Sequence, residues 1–130
     1  MSVLVLKPGH ITLADLQRIY REDLGVQLDR ECREQVESSA KIINAAAQGK
    51  APVYGVNTGF GKLASIAIAP EDTATLQRNL ILSHCAGVGG AMPDNITRLM
   101  MALKLLSLGR GASGVRWSLI ELLEQMLARG

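Results

Sequence analysis

Aromatic residues make up only 3% of this 130-residue chain, a single Trp, a single Phe and two Tyr. A core so poor in rings must be built from Leu, Ile, Val, Ala and Met, which suits helices packed on helices better than a β-sandwich. Cysteine is scarce too. Cys32 and Cys85 lie far apart, with no CxxC and no histidine at ligand spacing, which argues against a disulfide framework and a zinc site. Both read as small buried or half-buried residues, and no metal is expected. No apolar run reaches membrane-spanning length, and Met1 to Lys7 has neither the charged start nor the apolar stretch of a signal peptide. A cytoplasmic protein without a membrane partner is therefore expected. Charge of one sign is missing as well: the formal net charge is +2, with acids and bases interspersed as in Arg30-Glu31-Cys32-Arg33-Glu34. Without a basic stripe interleaved with aromatics, no nucleic-acid partner is expected.

What is present is 48% hydrophobic residues, enough for a core, and a length that fits one domain over residues 1–130. Val3 to Leu6 has the alternation of a short strand, and Lys7-Pro8-Gly9 breaks it. Thr12 followed by Asp15 has capping-box spacing for a helix running to about Glu22. Gly25 to Leu28 could be a second strand, pairing with the first as a short β-hairpin. Asp29 then caps a helix in which Cys32, Val36, Ala40, Ile43 and Ala47 recur at helical spacing, with Gly49 as its stop. Pro70 with Glu71 and Asp72 opens a third helix, with Leu76, Leu80 and Ile81 on its apolar face. Met92-Pro93-Asp94 starts a fourth, with Ile96, Leu99, Met100, Leu103 and Leu106 inward and Gly109 at its end. Ser113 is placed to cap a last one carrying Leu119, Ile120, Leu123 and Leu127. Both late helices also carry apolar residues elsewhere, at Met101, Leu105, Leu108, Leu122 and Met126, and so want partners on more than one side.

The segment with the most chemical interest is Val53-Tyr54-Gly55-Val56-Asn57-Thr58-Gly59-Phe60-Gly61. Three glycines give it a shaped, mobile backbone with a phenol at its entrance, although glycine-rich turns without chemistry are common and the segment alone leaves both readings open. It is not a phosphate loop. That motif needs four residues between its glycines and Ser or Thr after the lysine, whereas five separate Gly55 from Gly61 and Leu63 follows Lys62. The match of Gly59 to Ala64 to a dinucleotide fingerprint lacks the preceding buried strand. His84 stands where the third helix meets a second glycine-rich turn, Ala86-Gly87-Val88-Gly89-Gly90, and its position allows a core histidine or a functional one. Tyr54 could act as a base only where positive charge or hydrogen bonds stabilise its phenolate.

Tyr54-Gly55-Val56-Asn57-Thr58-Gly59-Phe60-Gly61, then Leu76-Gln77-Arg78-Asn79-Leu80 leading to Ser83-His84-Cys85-Ala86-Gly87-Val88-Gly89, then Ser107 to Arg116, together resemble the aromatic amino acid lyase and aminomutase family. The Ser83-His84 pair resembles the histidine ammonia-lyases within it. The resemblance spans the whole chain and implies a mainly α protein, the N-terminal portion of the fumarase and histidase-like helical fold. It implies elimination of ammonia from L-histidine to give trans-urocanate, in a cytoplasmic homotetramer. By the same resemblance Tyr54 is the base that takes the β-proton, His84 contacts the substrate side chain and Gly61 lines the pocket. The family's electrophile is a methylidene-imidazolone (MIO) made by cyclising an internal Ala-Ser-Gly. Ala112-Ser113-Gly114 is such a tripeptide, but it falls in an Arg-Gly-x-Ser-Gly-Val-Arg segment rather than the Gly-Ala-Ser-Gly-Asp-Leu context of the cofactor. No cofactor-forming residue is therefore expected within these 130 residues, nor catalysis by them alone. Two other readings remain: a phenylalanine or tyrosine ammonia-lyase relative, and a non-catalytic helical assembly module.

Overall fold

The computed structural model describes residues 2–129. They gather into two compact units, Met1–Ala40 with Ala91–Gly130, and Lys41–Gly90. In the first, strand β1 (Val3–Leu6), helix α1 (Leu13–Arg21) and strand β2 (Gly25–Leu28) follow one another. The two strands pair in parallel, from Val3 opposite Gly25 to Leu6 opposite Leu28. The expected hairpin is therefore wrong. A hairpin needs a tight turn, whereas α1 fills this connection and returns the chain to the end of the sheet from which β1 started, as a parallel pair requires. The start of α1 is the expected capping box: Asp15 N–H donates to Thr12 Oγ1 at 3.2 Å, and Thr12 N–H to Asp15 Oδ2 at 3.0 Å. The Thr12 hydroxyl also donates to Asp15 Oδ2 at 2.7 Å, and this bond first, with the backbone Thr12 N–H second, holds the Asp15 carboxyl below its ordinary range.

After one 3₁₀ turn at Arg30–Cys32, capped by Asp29, the chain enters helix α2 (Arg33–Gln48). Helices α3 (Pro70–His84), α4 (Asp94–Gly109) and α5 (Trp117–Arg129) follow. Among the described residues the buried hydrophobic core lies in the first unit, where Leu6, Ile19, Leu28, Leu105 and Ile120 are fully buried. Burying each such side chain contributes about 1.5–3 kcal/mol before entropy is set against it.

Helix α4 buries the expected face only in part: Leu99 and Leu106 pack against the core, half-buried, but the stripe is rotated. Ala102, Leu105 and Leu108 point inward, while Met100 and Leu103 are exposed. Apolar residues surround this helix, so periodicity could not choose the face; close approach decides it. A Cβ on Gly109 would meet Leu28 Cδ1 at 2.6 Å, so that turn of α4 lies against β2 at a distance only glycine allows. Helix α5 buries Trp117, Ile120, Glu124 and Leu127, with Leu119 turned outward. Because α5 begins at Trp117, Ser113 lies too far upstream to cap it.

Glu124 is a buried carboxylate whose partners all come from the start of the chain. Leu28 N–H donates to its Oε1 at 2.7 Å, and the Arg30 guanidinium donates to both oxygens at 2.9 Å. The same Arg30 lies 5.5 Å from the Trp117 ring centre, as does Arg33. This pairing, led by the hydrogen bonds to Glu124, raises the Arg30 pKa and gives each oxygen of the buried carboxylate a hydrogen-bond partner.

Candidate active site

Tyr54, Gly61 and His84 all fall in the Lys41–Gly90 unit. Among the described residues of that unit no hydrophobic side chain is buried; the buried side chains are Asn57 and Thr58. Hydrogen bonds, not a greasy core, shape this region.

Helix α2 ends at Gln48, and its last turn carries no basic residue to meet the free carbonyls there. Asn57 does so from across the loop. Its Nδ2 lies 3.2 Å from Ala46 O, 3.2 Å from Gly49 O and 3.0 Å from Ala51 O, so two N–H bonds are shared among three carbonyls. Its Oδ1 accepts from Val53 N–H at 2.7 Å. Val53 O in turn accepts from Val56 N–H at 3.0 Å and Asn57 N–H at 3.2 Å. The chain from Val53 to Asn57 is thereby closed into a small ring with Tyr54 and Gly55 at its tip.

Gly55 has φ +77°, a left-handed conformation that side chains disfavour. Tyr54 is 66% exposed and meets Phe60 edge to face, with ring centres 5.9 Å apart. Beyond the ring, Asn57 O accepts from Ile68 N–H at 2.8 Å and Gly59 N–H donates to Ile66 O at 3.1 Å, an antiparallel stitch centred on Thr58 and Ala67. Gly61, at φ +58°, begins a 3₁₀ turn (Gly61–Leu63) that leads towards α3. The expected mobile loop is therefore a short tip on a hydrogen-bonded root.

His84 is the last residue of α3 and is exposed, so it is not a core histidine. Its Nδ1 lies 2.8 Å from Leu80 O and 3.0 Å from Ser83 Oγ. A carbonyl only accepts, so the tautomer that makes the Leu80 bond is the one with its hydrogen on Nδ1, and that tautomer leaves Nε2 as an acceptor. Ser83 Oγ donates to the same Leu80 carbonyl at 2.9 Å. Cys85, expected to be at least half-buried, is exposed. No hydrogen bond joins Tyr54, Gly61 and His84 among the described residues.

A cleft of about 380 Å³ in the other unit, lined by Tyr20, Asp23, Asp94, Arg98 and Met126 among others, contains none of the three. The two terminal nitrogens of its guanidinium are already committed, since Arg98 donates through them to the backbone carbonyls of Leu127 and Leu24. No metal-binding group of His, Cys, Asp and Glu occurs among the described residues.

The Ala112-Ser113-Gly114 tripeptide fits a methylidene-imidazolone poorly. Ring closure would need the Gly114 amide nitrogen to attack the Ala112 carbonyl, and that N–H donates to Ser39 Oγ at 3.0 Å. With Gly111 at φ +67° and Gly114 at φ +68°, the segment is a turn packed on α2; a Cβ at Gly111 would strike Gln35.

Residues 11–130 match the family model for aromatic amino acid lyases. The chain belongs to the aromatic amino acid lyase family. Its fold matches the tyrosine aminomutase of Streptomyces globisporus with a TM-score of 0.88 at 30% identity, over 100% of this chain and 24% of that one. Ergothionase from Treponema denticola, an ergothioneine-degrading enzyme, gives a TM-score of 0.88 at 28% identity, over 98% and 26%. Phenylalanine aminomutase of Pantoea agglomerans gives 0.85 at 26%, over 98% and 25%. The chain thus spans about a quarter of the length of these structures. Members of the family are lyases and aminomutases, so the chain is part of an enzyme lineage with the mainly helical fold the resemblance implied. Asn57 was the residue that sequence reasoning left without a role. Its one signal was an Asn inside a glycine-rich loop, a residue type that hydrogen-bonds nearby backbone.

Proposed function

We propose that this chain supplies the base and the side-chain-reading histidine of an ammonia-lyase that converts L-histidine to trans-urocanate. The carrying observation is the Ser83-His84 end of α3, where the contact between Nδ1 and Leu80 O leaves Nε2 as an acceptor. An acceptor there favours a substrate ring with a donor, such as an imidazole N–H. Tyr54 takes the β-proton: the C–H bond breaks, its electrons form the carbon–carbon double bond, and the amine leaves with the electrons of the C–N bond. Gly61 lines the pocket near this tip. Formation of the family's cofactor is assigned to another segment of a family-length polypeptide, consistent with the poor fit of Ala112 to Gly114. Assembly into a cytoplasmic homotetramer belongs to the same proposal, supported by the exposed Ile81, Leu82, Met100 and Leu122.

A second reading rests on the likeness to tyrosine aminomutase, since a phenol O–H is also a donor to Nε2. A panel of L-histidine, L-tyrosine and L-phenylalanine on the family-length enzyme separates them, with urocanate absorbance expected from histidine alone. Tyr54→Phe is expected to lower turnover by at least about a hundredfold, the lower range for a lost general base, while leaving cofactor absorbance intact. Unchanged turnover would sink the assignment of Tyr54.

A further inference from the structure

We infer that Asn57 is the positioning residue for the Tyr54 phenol, and that motion of this loop is confined to its Tyr54-Gly55-Val56 tip. The inference rests on reading Tyr54 as the base, but its geometry stands apart from that reading. Asn57 is 1% exposed in a unit without a buried hydrophobic side chain among its described residues. Its carboxamide acts at both ends. Nδ2 reaches Ala46, Gly49 and Ala51 carbonyls beside the end of α2, while Oδ1 holds the Val53 amide immediately before Tyr54.

The backbone of Asn57 closes the same ring on Val53 O and, on its other side, is stitched to Ile68. The root from which Tyr54 projects is therefore referenced to a helix end through one side chain. Neither Gly55 nor Gly61 can supply that reference, because a Cβ at either would meet no atom within 4 Å. The glycines permit the shape and the asparagine fixes where it sits.

Only a carboxamide meets this donor and acceptor pattern. Aspartate keeps the acceptor for Val53 but turns a carboxylate towards three carbonyl oxygens, a repulsion relieved when it is protonated and can donate.

The test uses the family-length enzyme. Hydrogen exchange of the peptide covering residues 51–60 is followed in wild type, Asn57→Ala, Asn57→Asp and Tyr54→Phe, with turnover measured on the three amino acids above. In Asn57→Ala, exchange at Val53, Val56 and position 57 is expected to be at least about tenfold faster, with α4 and α5 unchanged. The kcat should fall about 10- to 100-fold with KM nearly constant, as expected when a catalytic group is misplaced and substrate binding is left intact.

Asn57→Asp should behave like Asn57→Ala at neutral pH and recover protection, relative to wild type at the same pH, as pH falls towards about 5. Should Asn57→Ala not fold, this variant makes the comparison within one protein. Unchanged exchange in Asn57→Ala, or no pH-dependent recovery in Asn57→Asp, overturns the anchor. Faster exchange with undiminished kcat overturns the positioning role. Turnover surviving Tyr54→Phe would instead remove the base assignment and leave the exchange result to judge Asn57 alone.

Discussion

Single side chains in this protein connect stretches that are remote in sequence. Glu124 is the clearest case, since it satisfies the Leu28 amide and pairs with Arg30, 96 and 94 positions away. Truncating it leaves a buried N–H without a partner and releases a guanidinium that is already half-exposed. The first effect dominates, because Arg30 can turn to water and Leu28 N–H cannot. Glu124→Ala is expected to lower stability by about 2 kcal/mol, and Glu124→Gln, which keeps an acceptor for Leu28, by less. A urea titration of both variants checks this, and midpoints equal to wild type would show that the pair is ornamental. Neither Glu124 nor Asn57 could be assigned from sequence. Their partners are reached only after the chain has folded back, and a lone Glu on a helix or Asn in a loop has the same local signature when it is solvated.

At the level of elements, local chemistry was legible where it acts within a few residues. Thr12 and Asp15 marked the start of α1, Pro70 with Glu71 and Asp72 the start of α3, and Gly49 the end of α2. The failures came where tertiary packing decides. The direction of strand pairing depends on what α1 does with the chain between the strands, and the buried face of α4 depends on how close Gly109 brings it to Leu28.

The α1 cap carries a pH dependence whose sign follows from its hydrogen bonds. The Asp15 pKa is lowered by folding, so its contribution is present above its unfolded value of about 4 and is lost as pH falls through the depressed folded value. Thr12→Ala removes the partner that holds it there. Unfolding midpoints of wild type and Thr12→Ala should therefore differ at about pH 6 and approach each other in acid; a constant gap would contradict the capping box as its source.

Across the whole molecule, large apolar side chains remain uncovered on α3, α4 and α5, among them Ile81, Met100, Leu103 and Leu122. Helix α3 has no buried residue at all. Such faces usually have partners, and the structures that this chain matches are about four times its length. The 130-residue chain by itself is expected to self-associate in sedimentation experiments without showing a cofactor absorbance. A monomer at high concentration would remove support for the assembly proposal. A chromophore would return Ala112 to Gly114 to consideration, and assembly without turnover would favour the non-catalytic helical module for the isolated chain.

The first compact unit is also discontinuous, built from residues on either side of the Lys41–Gly90 segment. During synthesis, Leu6, Ile19 and Leu28 leave the ribosome well before Leu105, Ile120 and Leu127, the side chains that bury them. At roughly 5–20 residues per second, the opening βαβ segment waits several seconds or more with its apolar face uncovered. The fold therefore carries a built-in interval of vulnerability, one set by the order of the chain rather than by the strength of any contact within it.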